Sequence, residues 1–199
     1  STIGHGLGVV PNLIISKSRT VASKYWPVYH SSIGNTGAVY LNLTNATDTN
    51  AAYWNNTSPT SSVFTVGTVS DINTNGSQNV SYCWAAIPGF SAFGSYTGNG
   101  STDGPFVFCG LRPRWVMVKR TDLTSDWVIT DTSRDVYNVS SDALRPNLSN
   151  AEYTSLPLID INSNGFKLRD NASFSINSSG GTYIYAAFAD VPFKYALAR

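Results

Sequence analysis

Short β-rich runs, such as Leu13-Ile14-Ile15-Ser16-Lys17 and Val80-Ser81-Tyr82-Cys83-Trp84, alternate along the chain with polar turn clusters. Two of those clusters are Asn73-Thr74-Asn75-Gly76 and Asn177-Ser178-Ser179-Gly180-Gly181. Runs of that length bounded by Asn, Ser and Gly predict strands joined by tight turns, the spacing of an antiparallel sandwich. A parallel β-helix is the competing all-β architecture. It needs many short periodic repeats, whereas the chain carries a single long one.

That long repeat sets the domain organisation. Gly6-Leu7-Gly8-Val9-Val10-Pro11-Asn12-Leu13-Ile14-Ile15-Ser16-Lys17 matches Gly110-Leu111-Arg112-Pro113-Arg114-Trp115-Val116-Met117-Val118-Lys119. Four more landmarks follow in the same order. Tyr25-Trp26-Pro27-Val28-Tyr29 pairs with Asp126-Trp127-Val128-Ile129-Thr130, and Asn42-Leu43-Thr44-Asn45-Ala46 with Asn147-Leu148-Ser149-Asn150-Ala151. Val63-Phe64-Thr65-Val66 pairs with Gly165-Phe166-Lys167-Leu168, and Tyr82-Cys83-Trp84-Ala85-Ala86 with Tyr183-Ile184-Tyr185-Ala186-Ala187. The expected fold is therefore all-β: two tandem homologous antiparallel β-sandwich units, jelly-roll-like, spanning residues 1–95 and 96–199. A fold used twice needs the same filling twice, so the shared aromatics at Trp26 and Trp127, Phe64 and Phe166, Tyr82 and Tyr183, and Trp84 and Tyr185 are expected in the cores.

Trp54 has no aromatic counterpart, since Thr154 stands at the matching place. An unshared tryptophan in an Asn-rich loop makes Tyr53, Trp54, Asn55 and Asn56 the candidate ligand site.

Composition supports the β reading, with one Met, one Glu and many Thr, Ser, Asn, Val and Tyr residues. The formal charge of +1 conceals an asymmetry: residues 1–95 hold only Lys17, Arg19 and Lys24 against Asp48 and Asp71. A nearly uncharged surface has no long-range pull on nucleic acid or anionic lipid and is better suited to a sugar or a protein contact. No apolar run approaches the length of a membrane helix. The opening lacks the parts of a signal peptide and reads as that of an excised fragment, while Pro192-Phe193-Lys194-Tyr195-Ala196-Leu197-Ala198-Arg199 is compatible with a native terminus. With Cys83 and Cys109 the only cysteines, no disulfide framework or cysteine zinc site is legible.

The chemistry-bearing inventory is thin. His5 and His30 lack a neighbouring motif, and no nucleophile elbow occurs. Asp122, Asp126, Asp131 and Asp135 are the carboxylates that a glycoside-cleaving pair would draw on, with Lys119, Arg120 and Arg134 nearby to balance them. Asp71-Ile72-Asn73-Thr74-Asn75-Gly76 and Asp160-Ile161-Asn162-Ser163-Asn164-Gly165 match the first half of a calcium loop, but Tyr82 and Asn171 stand where its bidentate glutamate belongs, so both are expected to be turns. No cofactor, metal or catalytic residue is expected, and the chain reads as a non-enzyme.

Gly6 to Lys17, Trp54 to Phe64, Gly94-Ser95-Tyr96-Thr97-Gly98-Asn99-Gly100, Asp103-Gly104-Pro105-Phe106-Val107 and the ending from Pro192 together resemble an uncharacterised duplicated domain of tailed-bacteriophage virion proteins, found near the C-terminus of tail-fibre-like chains. The resemblance covers nearly all of the chain. It implies a virion component assembled in bacterial cytoplasm with its cysteines reduced, in contact with other virion proteins and, by analogy with fibres, homotrimeric. The expected function is host receptor binding, of a surface glycan. The alternative is a purely structural fibre, assembly or capsid-decoration domain. Neither nucleic-acid binding nor membrane insertion is expected.

Overall fold

The structure is a computed structural model that describes residues 1–171 and 175–189. The ending from Pro192 lies outside the described residues. The chain is all-β and antiparallel, and it divides into two compact units at the Ala85/Ala86 junction.

Unit 1 contains β1 (Thr2–Gly4), β2 (Leu13–Ser18), β3 (Pro27–His30), β4 (Val39–Tyr40), β5 (Val63–Thr65), a single helical turn α1 (Ser70–Asn73) and β6 (Asn79–Trp84). Four strands form one sheet in the order β4-β3-β2-β6, and β1 pairs with β5 in a second. The core lies between them: Ile14 of β2, Tyr29 of β3, Tyr40 of β4 and Phe64 of β5 are buried together, with Cys83 of β6 partly buried against them. Alternation produces this, because residues two apart along a strand share a face.

Unit 2 contains β7 (Ser91–Thr97), β8 (Phe106–Phe108), β9 (Pro113–Arg120), β10 (Trp127–Asp131), β11 (Ile159–Asn162), β12 (Gly165–Leu168) and β13 (Thr182–Ala189). Its sheets run β10-β9-β13-β7 and β11-β12-β8. Val116, Val118, Val128 and Tyr185 from the first sheet meet Val107, Ile159, Phe166 and Leu168 from the second.

The order of pairing is common to the two units. A central strand, β2 or β9, is flanked by β3 and β6 in one and by β10 and β13 in the other. Likewise β1 pairs with β5, and β8 with β12. The Asn landmarks play one part in both: Asn42 Oδ1 accepts from the Trp26 amide at 2.9 Å, and Asn147 Oδ1 from the Trp127 amide at 3.0 Å.

Two expectations need correction. The units divide ten residues before the boundary read at 95/96, because β7 forms a continuous ladder with β13 from Thr97↔Thr182 to Ser91↔Phe188. Tyr82 and Trp84 also do not fill the core as Tyr183 and Tyr185 do. With Lys17 matched to Lys119, the ladders put Tyr82 opposite Ile15 where Ala186 lies opposite Met117. The sequence pairing of Tyr82 with Tyr183 is thus three residues out of register. An odd slip turns a strand residue to the opposite face, and Tyr82 is 53% exposed. Trp26 is half-buried, while Trp127, Phe64, Phe166, Tyr183 and Tyr185 are buried as expected.

Lys119 is a buried cation whose ammonium donates to the Arg120 carbonyl at 2.8 Å. Burial pulls its pKa from 10.5 down to about 8, with Asp126 acting against the shift. A lysine that binds its proton less tightly when folded costs stability below the folded pKa, and the cost disappears as pH rises from about 8 to the unfolded value. Denaturant titrations should therefore show the native chain gaining about 3 kcal/mol relative to Lys119→Met between pH 7.5 and 10.5. Parallel pH profiles for the two proteins would contradict this.

Candidate functional site

The loop that carries Tyr53, Trp54, Asn55 and Asn56 folds inward at its aromatic end. Trp54 is 1% exposed. Its indole N–H donates to the Gly37 carbonyl at 3.0 Å, and its ring meets Tyr29 edge-on at 5.6 Å. Tyr53 is equally buried, its hydroxyl 2.8 Å from that of Tyr40 and 3.4 Å from Asp71 Oδ2. Tyr40 in turn donates to Asp48 Oδ2 at 2.5 Å. Burial, with Asp71 beside it, pushes the Tyr53 phenol up to about 12, so it stays a neutral donor.

Asn55 and Asn56 remain exposed, with φ of 53° and 48°. Asparagine tolerates the left-handed region better than most residues, so here the pair serves the turn. The loop is clamped by bonds from the Gly67 and Thr68 amides to the Tyr53 and Ala52 carbonyls. Only glycine fits at 67, where a Cβ would lie 1.9 Å from the Ala52 oxygen. A sugar ring has no access to an indole buried in this way, so the expected aromatic platform is corrected: Tyr53 and Trp54 are core residues.

The other sequence candidates are held by structural partners. Arg120 pairs with Asp122, Arg145 with Asp126, and Arg134 bridges Asp131 and Glu152. Asp135 accepts from the Ser141 amide. His5 accepts from the Leu7 amide at Nδ1, which leaves its Nε2–H to donate to the Thr60 carbonyl. The Asp71 segment is the turn of α1, and the Asp160 segment is the β11–β12 hairpin, with Asn162 opposite Gly165. Among the described residues no group of three His, Cys, Asp or Glu side chains is placed to hold a metal ion. Cys83 and Cys109 are free thiols.

The structure instead gathers a site that charge counting overlooked. Lys17, Arg19 and Lys24 are all the lysine and arginine of unit 1. All three line one cavity of about 370 Å³ between the end of β2 and the 19–26 loop, with Trp26 in its wall. Ser18, Thr20 and Ser23 also line it, with the Ser18 and Thr20 hydroxyls bonded to the Val21 and Gln78 amides. The Lys17 ammonium lies 4.4 Å from the centre of the Trp26 ring, and Lys24 donates to Ser70 Oγ at 2.9 Å.

The loop is fixed before any ligand arrives. Its ties run from the Arg19 amide to the Gln78 carbonyl at 2.7 Å, from the Gln78 amide to Thr20 Oγ1 at 3.0 Å, and from the Val21 amide to Ser18 Oγ at 3.0 Å. In unit 2 the corresponding loop carries Asp122 and Asp126, so this concentration of positive charge belongs to unit 1. The signal that could have found it was the spacing of the three cations within eight residues, straddling the end of one strand.

An antiparallel all-β protein with a small basic and aromatic cavity is what fold and site define. The sequence model of the family described as "Domain of unknown function (DUF7483)" matches residues 1–192, and the chain belongs to that family. No curated protein and no solved structure matches it.

Removing the Trp54 side chain should leave a void in the unit 1 core and an unsatisfied Gly37 carbonyl. Trp54→Ala should lose about 3 to 5 kcal/mol in chemical denaturation, whereas Asn55→Ala should change stability far less. A Trp54→Ala protein as stable as the parent would overturn the placement of this ring.

Proposed function

We propose that the chain is a non-catalytic receptor-binding module of a bacteriophage virion, carried on a tail fibre or another exterior component, which takes an acidic host-surface glycan in the cavity of unit 1. The virion context rests on the resemblance of the Gly6 to Lys17, Trp54 to Phe64 and Gly94 to Gly100 segments to fibre-like proteins.

One observation carries the ligand class: Lys17, Arg19 and Lys24 converge with an indole and several hydroxyls on a single pre-formed cavity in an otherwise nearly neutral unit. Ammonium and guanidinium groups bind carboxylate, sulfate or phosphate substituents through charge-assisted hydrogen bonds. Hydroxyls bind the hydroxyls of a sugar. The half-buried Trp26 ring, which carries the Lys17 ammonium at 4.4 Å, adds an aromatic wall, and the nearby charges draw an anionic polymer from a distance of about one Debye length.

A second reading is a structural role in fibre or capsid assembly. It is favoured by Tyr82 and Trp84, whose rings stack at 6.1 Å on the outward face of β6, where a neighbouring subunit would cover them.

Binding of the purified chain to immobilised bacterial polysaccharides separates the two. We expect retention on acidic polysaccharides, weakening with added salt, and at least tenfold weaker binding by a Lys17→Gln, Arg19→Gln, Lys24→Gln variant of unchanged stability. Binding only to neutral glycans, or equal binding by the variant, would overturn the assignment of this cavity. Failure on every polysaccharide, together with a stable oligomer in solution, would leave the assembly reading as the better account.

A further inference from the structure

The registers of the unit 1 sheet place one more row of side chains beside the basic cavity. Ile15 lies opposite Val28 of β3 on one side and opposite Tyr82 of β6 on the other. Two residues along, Lys17 lies opposite Val80, and the β3 register carried on by two residues brings Trp26 to its other side, where the Lys17 ammonium meets the ring. Arg19 follows opposite Gln78, its amide bonded to the Gln78 carbonyl. Residues opposite one another, or two apart, share a face of a sheet, so Gln78, Val80, Tyr82 and Trp84 stand on the same face as Lys17 and Arg19, turned away from Ile14 and the core. The Arg19–Gln78 bond also sets the parity of the ladder: Val80 and Tyr82 turn their N–H and C=O toward β2, and Asn79, Ser81 and Cys83 turn theirs away.

The exposed ring in this row has a direction. Tyr82 and Trp84 stack at 6.1 Å with their planes 24° apart, so Trp84 backs one side of the Tyr82 ring. Trp84 is half-buried, whereas Tyr82 is 53% exposed. The open side of Tyr82 therefore faces the other way along β6, over Val80 and toward the end of the sheet where Lys17 and Arg19 stand. Lys17 is the diagonal neighbour of Tyr82, a separation of about 7 to 8 Å. Beyond Val80, Gln78 adds an exposed side-chain amide, and Gln78 to Trp84 carry no charge. Unit 2 has no such row: with Lys119 matched to Lys17, the places of Val80 and Tyr82 are held by Ile184 and Ala186, both buried. The aromatic row and the basic cavity thus occur together, side by side, in one unit.

We propose that Gln78, Val80 and Tyr82 form a neutral-sugar subsite adjoining the cavity, so that the ligand is an acidic oligosaccharide in which an uncharged sugar neighbours the acidic one. The acidic substituent is held by Lys17, Arg19 and Lys24. The next ring lies over Val80 with its C–H face against the open side of Tyr82 and its hydroxyls within reach of the Gln78 amide. An aromatic ring gives such a contact a large apolar surface, and the absence of charge from Gln78 to Trp84 suits a sugar without a carboxylate. Trp84 acts as a positioning residue, since it backs Tyr82 and fixes which side of the ring is open. This inference rests on the glycan reading of the cavity, and it assigns to the ligand the rings that the assembly reading gives to a neighbouring subunit.

The test titrates the full chain, followed by NMR, with free glucuronate and with the repeating oligosaccharide of gellan, in which one glucuronate is flanked by neutral sugars. The oligosaccharide should bind about tenfold more tightly than glucuronate, the scale of one aromatic contact. Tyr82→Ala should lose that gain and keep the affinity for glucuronate, while Tyr82→Phe should retain it. Added salt should weaken both ligands and leave their ratio unchanged, because a stacking contact is not screened. Circular dichroism of each variant checks its fold. Equal affinity for the two ligands, or a gain that survives Tyr82→Ala, would overturn the subsite alone, provided that Lys17→Gln, Arg19→Gln, Lys24→Gln still weakens both. Binding of neither ligand, or equal binding by that triple variant, would overturn the cavity reading and the subsite with it. A stable oligomer that buries Tyr82 would also overturn the subsite, by making a second copy the occupant of this face.

Discussion

The backbone of an outer strand must place a row of hydrogen-bonding groups somewhere, and that requirement distinguishes two units that are otherwise paired alike. Unpaired strand edges are a standing liability, because they template addition of another strand. Unit 2 closes one edge of its main sheet with β7, and the closure organises its interior. Tyr96 stacks on Tyr183 at 4.9 Å and ties its hydroxyl to the Ile176 carbonyl at 2.7 Å, so one strand supplies ladder bonds, an aromatic wall and a link to a loop. Among the described residues no strand pairs with the outer edge of β6. Its small residues at 81 and 83 and the cavity they line beside Phe64 follow from that difference.

Electrostatics adds a second layer. Low net charge over a unit does not mean a featureless potential, because position matters more than sum. Three cations distributed evenly would be screened from one another within about a Debye length, but here they share one cavity wall. The 19–26 loop is tied to Gln78 and Ser18, so the backbone that carries Arg19 and Lys24 is held in place. In unit 2 the equivalent loop pairs Asp122 with Arg120 and with the Thr182 amide, and its charge is used up internally.

The all-β class was legible because strands announce themselves by short apolar runs between Asn, Ser and Gly clusters. The β11–β12 hairpin sits on its Asn-Gly cluster as read. Trp54 was not legible. Its loop is polar in sequence, and only the distant Gly37 carbonyl and Tyr29 ring, both supplied by the fold, make burial favourable. The pairing of Tyr82 with Tyr183 failed for a different reason: aromatic residues recur at both strands, but register is set by ladders to β2 and β9 that a local alignment does not weigh. The unit boundary slipped because β7 lies just before the Gly-rich stretch that looks like a linker, yet its partner is β13 at the far end of the unit. The convergence of Lys17, Arg19 and Lys24 is visible as spacing, but a charge sum over residues 1–95 does not register it.

Amide hydrogen exchange in the native state, resolved residue by residue, tests the difference between the two edges most directly. The amides of Asn79, Ser81 and Cys83 should exchange roughly a hundredfold or more faster than those of Val80 and Tyr82, which face β2, and faster by a similar factor than those of Tyr183, Tyr185 and Ala187, which face β7. Equal protection at the two sets of outward positions would contradict the account, since it would mean that the edge of β6 is already paired.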